Sequence, residues 1–149
     1  MEKNMTDSNH IHLAMTPAQA QAVAKWLEIA THLGLGKIEI LSELLMDGHI
    51  QSVEGKESND VDAFVNLHAR FKEALYAAKT ELGHPRNGNF GIGSRQVHAD
   101  THHAYECLKV LQKALHQVNE GSPTSIHGDG LTVRYTQEPA PTAEILPTP

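Results

Sequence analysis

Residues 87–113 read NGNFGIGSRQVHADTHHAYECLKVLQK, and the reading of this stretch decides the rest. Its first part, Asn87 to Arg95, sets Gly88, Gly91 and Gly93 around Phe90 and Ile92 and closes on Ser94 and Arg95. From about Val97 the pattern becomes helical, with an apolar stripe beside a histidine-bearing one. A glycine-rich loop running into a helix start offers backbone N–H groups and a positive dipole end, which together suit an anion. The same loop also has a purely structural explanation. It is then a tight turn that needs glycine φ values, with Phe90 and Ile92 plugging the core.

Working outward, the helix spans about Ala99 to Asn119, with Asp100 or Thr101 as cap. Ala104, Cys107, Leu108, Leu111, Leu115 and Val118 form its expected core face. A Ser/Pro/Gly loop follows from Gly121 to Gly130, and then Leu131 to Tyr135 alternates as a strand. Upstream, Val61, Phe64, His68, Phe71, Leu75, Ala78 and Leu82 step in threes and fours along a long helix from about Asp60 to Leu82. That spacing makes one continuous packing seam. Asp47 to Asn59 is a polar loop, and about Lys37 to Met46 is a shorter helix. Thr16-Pro17-Ala18-Gln19 reads as a capping box. It starts a helix with Val23, Trp26, Leu27, Ala30 and Leu33 as its apolar stripe and Gly34 as its end. His10 to Met15, HIHLAM, alternates as a short half-buried strand.

The expected fold class is therefore mainly α: four main helices with a two-stranded antiparallel ribbon formed by the N- and C-terminal strands. Neither strand has another evident partner. Residues 1–9 read as a flexible N-terminus, 10–138 as a single helical domain, and 139–149 as a Pro-rich disordered tail.

Composition narrows the function classes. The chain has 149 residues, 40% hydrophobic and 20% charged, which suits one ordinary globular domain. Its net charge of −6 argues against a bulk nucleic-acid surface. Cys107 is the sole cysteine, so neither a disulfide framework nor a CxxC zinc site is available, as suits a cytoplasmic protein. No apolar run approaches a membrane span and no h-region follows Met1, so neither membrane insertion nor a signal peptide is expected. Eleven scattered histidines raise metal binding and pH sensitivity as questions.

The order of segments resembles a family of small proteins found in phage and prophage genomes. The resemblance lies in the first strand and the Thr16-Pro17 helix start, and in LGLGKIEILSELL at 33–45. It continues through FGIGS at 90–94, Ala104-Tyr105-Glu106, and Thr132 to Tyr135 followed by Pro139. It covers most of residues 10–140. Members usually carry a proline shortly after the loop, where this chain has His98. The resemblance implies a phage context, hence a host bacterial cytoplasm, and no chemistry.

Three constellations carry possible chemistry. In the loop, Asn89, Gly91, Gly93 and Ser94 offer donors, Arg86 and Arg95 offer charge, and Phe90 and Tyr105 offer rings for stacking. On the helix, His98, His102, Tyr105, Lys109, Gln112 and His116 share a face. His98 and His102 are spaced as a metal pair, with His10 and His12 as further candidates, yet no HExxH pattern or paired acidic ligand accompanies them. A solvated or subunit-facing surface explains the same stripe. Cys107 reads as core, which disfavours a nucleophilic pair with His103.

The expectation is a non-enzymatic binding protein of phage origin, without metal or cofactor, that sequesters a small anionic, nucleotide-like defence signal. The ligand-binding set would be Arg86, Asn89, Phe90, Gly91, Gly93, Ser94, Arg95, His102, Tyr105 and Lys109. The alternative is a protein-binding inhibitor or accessory factor with no small ligand. Apolar area beyond what one small domain can hide predicts a homo-oligomer.

Overall fold

A capping box opens the first helix. The Thr16 hydroxyl accepts from the Gln19 N–H at 3.3 Å, and the Gln19 side-chain oxygen accepts from the Thr16 N–H at 2.9 Å. The structure is a computed structural model that describes residues 11–52, 61–120 and 142–145. Its helices are α1 (Pro17–Gly34), α2 (Ile40–Met46), α3 (Val61–Glu81) and α4 (Ala99–Glu120).

The corner after α1 fixes how the helices meet. A Cβ on Gly34 would collide with the Thr101 side chain, so only a bare backbone lets α1 lie this close to α4. Gly36 takes a left-handed φ of 85°, and the His84 ring sits within 2.5 Å of where its Cβ would be. The C-terminal end of α1 thus faces the N-terminal end of α4, and the two helices run antiparallel. Ala24, Ile29 and Thr31 of α1 and Leu108 and Thr101 of α4 are buried. The Thr31 hydroxyl is satisfied by donating to the Leu27 carbonyl at 2.7 Å.

Helix α2 buries Ile40, Leu44 and Leu45, and touches both α1 and α3. Among the described residues α3 packs on α2 alone. The link is a buried ion pair. Lys79 Nζ lies 2.8 and 2.9 Å from the two Glu39 carboxylate oxygens, with no Lys79 side-chain surface exposed. Gly83, at φ 83°, ends α3.

The helices agree closely with the sequence reading, but their faces do not. Val23, Trp26 and Ala30 of the expected α1 stripe are exposed, Trp26 at 54%. The buried side of α1 instead carries Ala24 and Thr31, and Gly34 meets the Thr101 side chain of α4. On α4, Cys107 and Val118 are exposed, while Thr101, Glu106 and Val110 are buried. Glu106 and Val110 lie round the helix from the Thr101–Leu108 side, so α4 is buried on two sides rather than along one stripe. Neither Asp100 nor Thr101 caps α4. Both are helical, and the His98 ring nitrogen accepts the Asp100 N–H at 3.2 Å instead. Residues 38–39 form a turn, so α2 is shorter at its start than expected.

Among the described residues four helices and a mainly α architecture stand. The half-buried first strand does not appear in residues 11–15, where no strand forms and Ile11 and Leu13 are 96% and 74% exposed. His10 and Leu131 to Tyr135 lie outside the described residues. Within the tail expected to be disordered, Ala143 stands in an isolated β-bridge, and Ala143 and Ile145 are half-buried.

Candidate functional site

The segment from Asn89 to Ile92 is pinned on two sides. The Phe90 N–H donates to the Leu35 carbonyl at 2.9 Å, tying the loop to the corner after α1. The Phe90 ring meets His84 edge-on, with centroids 4.8 Å apart. From α4, His102 Nε2 lies 2.8 Å from the Ile92 carbonyl. A carbonyl only accepts, so that nitrogen carries the proton. The Asn89 amide donates to the Phe90 carbonyl at 2.9 Å.

Held this way, the loop closes one side of a cleft of about 270 Å³ between α1 and α4. Glu28, Thr31, His32 and Leu35 form the α1 wall; Tyr105, Leu108, Lys109 and Gln112 form the α4 wall; Asn89, Phe90, Gly91 and Ile92 complete it. Lys109 Nζ lies 5.2 Å from the Tyr105 ring centroid and 3.3 Å from Gln112 Oε1. The cationic and aromatic elements of the cleft are therefore adjacent. Glu28 supplies an opposing carboxylate on the other wall. His32 Nδ1 is buried without a hydrogen-bond partner.

Five of the ten residues picked from sequence line this cleft: Asn89, Phe90, Gly91, Tyr105 and Lys109. The others do not. Arg86 forms a two-pronged ion pair with Glu73 of α3 and lies 4.0 Å over the Tyr76 ring. The Glu73 hydrogen bond raises the Arg86 pKa, and Arg86 in turn lowers that of Glu73. Arg95 is an exposed surface charge outside the cleft. The Ser94 hydroxyl accepts the Gln96 N–H at 3.3 Å, so it stabilises the turn. His102 is a clamp on the loop and does not line the cleft. Gly93 is exposed beyond the rim.

The tight-turn explanation of the glycines does not hold at two positions. Neither Gly91 nor Gly93 has a positive φ. Gly91 has open space within 4 Å of where a Cβ would stand. Both are exposed, and neither N–H donates to a backbone acceptor among the described residues. Glu28, Thr31, His32 and Gln112 escaped sequence reasoning as site residues. Gln112 was visible on the histidine face, but nothing in the α1 sequence announces its wall.

Among the described residues no three His, Cys, Asp or Glu side chains gather as a metal set. His12 is exposed, and His102 is committed to Ile92. The Cys107 thiol is exposed over much of its surface. Even so, partial desolvation, then the Glu106 carboxylate, push its pKa up, which is the wrong direction for a nucleophile. No helix among the described residues is long and apolar enough to cross a membrane. Set against known proteins, the chain matches no family model, no curated protein and no solved structure.

Proposed function

We propose that this chain is a non-enzymatic binding protein of phage origin whose α1–α4 cleft sequesters a small anionic, nucleotide-like molecule of the kind used as a host defence signal. The observation that carries this reading is the convergence of Tyr105, Lys109 and the Asn89–Ile92 backbone on one cleft. Lys109 and the uncommitted Gly91 N–H supply the anion-facing side. Tyr105 and Phe90 supply ring surface, and Glu28, Asn89 and Gln112 supply acceptors and donors for a polar ring edge. Neither φ nor crowding requires glycine at 91, which supports a role in letting a ligand approach the backbone. The cleft is small for a ligand site, so it suits one nucleotide unit better than a large cofactor. The phage context rests on the sequence resemblance alone.

A thermal-shift and calorimetric screen of linear and cyclic nucleotides tests it. Lys109→Ala should weaken binding of the best nucleotide about 10–100-fold, the equivalent of one lost charge-assisted hydrogen bond. Tyr105→Ala should weaken it as well, with the fold of both variants intact by circular dichroism. No shift with any nucleotide, or equal affinity in the Lys109→Ala variant, defeats the reading.

A second reading, a protein-binding accessory factor, is favoured by one different observation. Trp26 is 54% exposed beside exposed Val23, and its ring meets that of His49 at 6.3 Å. Exposed tryptophans are strong anchors for protein partners.

A further inference from the structure

Helix α3 meets one other helix, α2, among the described residues. Of its 21 residues only Lys79 is buried. Val61, Val65 and, just past its end, Leu82 are 72%, 51% and 68% exposed.

One stripe of α3 has a pattern that names its occupant. Phe64, Leu67, Phe71, Ala74 and Ala78 follow steps of three and four, the spacing of a coiled-coil seam. The first three are large and half-buried, and the last two are small and exposed. In a parallel pair, large would meet large and alanine would face alanine across a void. In an antiparallel pair, Phe71 meets Ala74 of the other copy and Leu67 meets Ala78, so each of these central layers sets a large residue on a small one. Leu82 extends over the remaining Phe64. This is the self-complementarity that a two-fold interface requires.

We infer that α3 pairs antiparallel with α3 of a second copy of this chain, centred between Lys72 and Glu73. The pairing goes beyond the cleft reading and does not depend on it. Sedimentation of the wild type should give a dimer or a multiple of it. Ala74→Arg and Ala78→Arg replace exposed residues, so the fold should persist by circular dichroism while the assembly falls to half its size. Orientation is read by cysteine cross-linking in a Cys107→Ser background. In the antiparallel pair, Ala74→Cys lies about 4.5 Å along the axis from its mate, and Ala78→Cys about 16 Å from its own. A short thiol cross-linker should therefore join the first and not the second. A monomeric wild type would leave α3 to other occupants, either another stretch of this chain or an unrelated protein. That outcome overturns the inference, as does efficient cross-linking through residue 78.

Discussion

Helices α1 and α3 are comparably amphipathic in sequence, and the structure treats them differently. Helix α1, 18 residues long, lies against α4, and the cleft opens at their junction. Helix α3, 21 residues long and richer in aromatic seam residues, meets no helix but α2 among the described residues, with Lys79 near its C-terminal end bonded to Glu39. An apolar stripe therefore does not decide whether a helix is buried within its own chain. Close approach does. Bare Gly34 lets Thr101 of α4 come close to α1, whereas α3 carries no glycine along its length. The first pair encloses the proposed cleft, and the second carries the stripe on which the inferred pairing of two copies would form.

The sharpest way to break this contrast is at the join between the two regions. Lys79 has no exposed side-chain surface, and Glu39 is its partner. Glu39→Ala strands a buried ammonium and should cost about 3–5 kcal/mol by urea denaturation. Replacing both residues together by Leu and Met should be close to neutral, since two desolvation penalties vanish with the pair. A Glu39→Ala cost under about 1 kcal/mol would mean the pair does not hold α3 in place. Acidity probes the same link. Desolvation pulls the Glu39 pKa up. The Lys79 hydrogen bond, a hydrogen bond to backbone, and the charges of Lys79 and Lys37 together outweigh it, and the net shift is below the ordinary 4.5. A depressed carboxylate stabilises fully above its unfolded value and loses that contribution as pH falls through the folded one. Wild type should therefore lose more stability below about pH 4.5 than Glu39→Gln does.

That ion pair also marks where sequence reading stops. Helix existence, the Thr16 box and the glycine stops were legible because they are local: a hydroxyl, an amide and a φ value within four residues decide them. The faces were not. Leu27 belongs to the expected stripe, but its neighbours on the buried side are Ala24 and Thr31, which hydropathy does not favour over Val23 and Trp26. The contact between Glu39 and Lys79 spans forty positions and carries no local signal. The site was half legible for the same reason. The loop and α4 are continuous in sequence, so Phe90, Gly91, Tyr105 and Lys109 could be picked together. The α1 wall, Glu28 to His32, reaches them only through the fold. Arg86 and Arg95 were chosen by proximity along the chain, which says nothing about direction.

The second test moves to the α1–α4 contact. A Cβ on Gly34 would meet the Thr101 Oγ1, Cγ2 and Cβ atoms. Gly34→Ala should cost about 1–3 kcal/mol from overpacking, more than its gain in helix propensity returns. Adding Thr101→Ala removes two of those atoms but leaves the Cβ, 2.9 Å away, so rescue should be partial. The same double-variant comparison at an exposed α3 position should show no coupling. A neutral Gly34→Ala would mean that the helices do not approach this closely, and that the cleft wall is less fixed than its geometry indicates.

The smallest effect is the most discriminating, because it separates charge near the cleft in sequence from charge near it in space. Arg86 lies three residues before Asn89. A reading from the chain alone gives it to the anion together with Lys109. Its guanidinium instead lies over Tyr76 and spans both Glu73 oxygens, all on the α3 side of the molecule. Both partners are exposed, so salt and water screen the pair and its removal should barely move the melting temperature. Arg86→Ala should also leave nucleotide affinity unchanged, in the same titration in which Lys109→Ala loses about 10–100-fold. If Arg86→Ala weakens binding as much as Lys109→Ala does, the arginine must leave Glu73 to reach the ligand. The two regions would then share one site, and their separation would be a property of the unliganded chain.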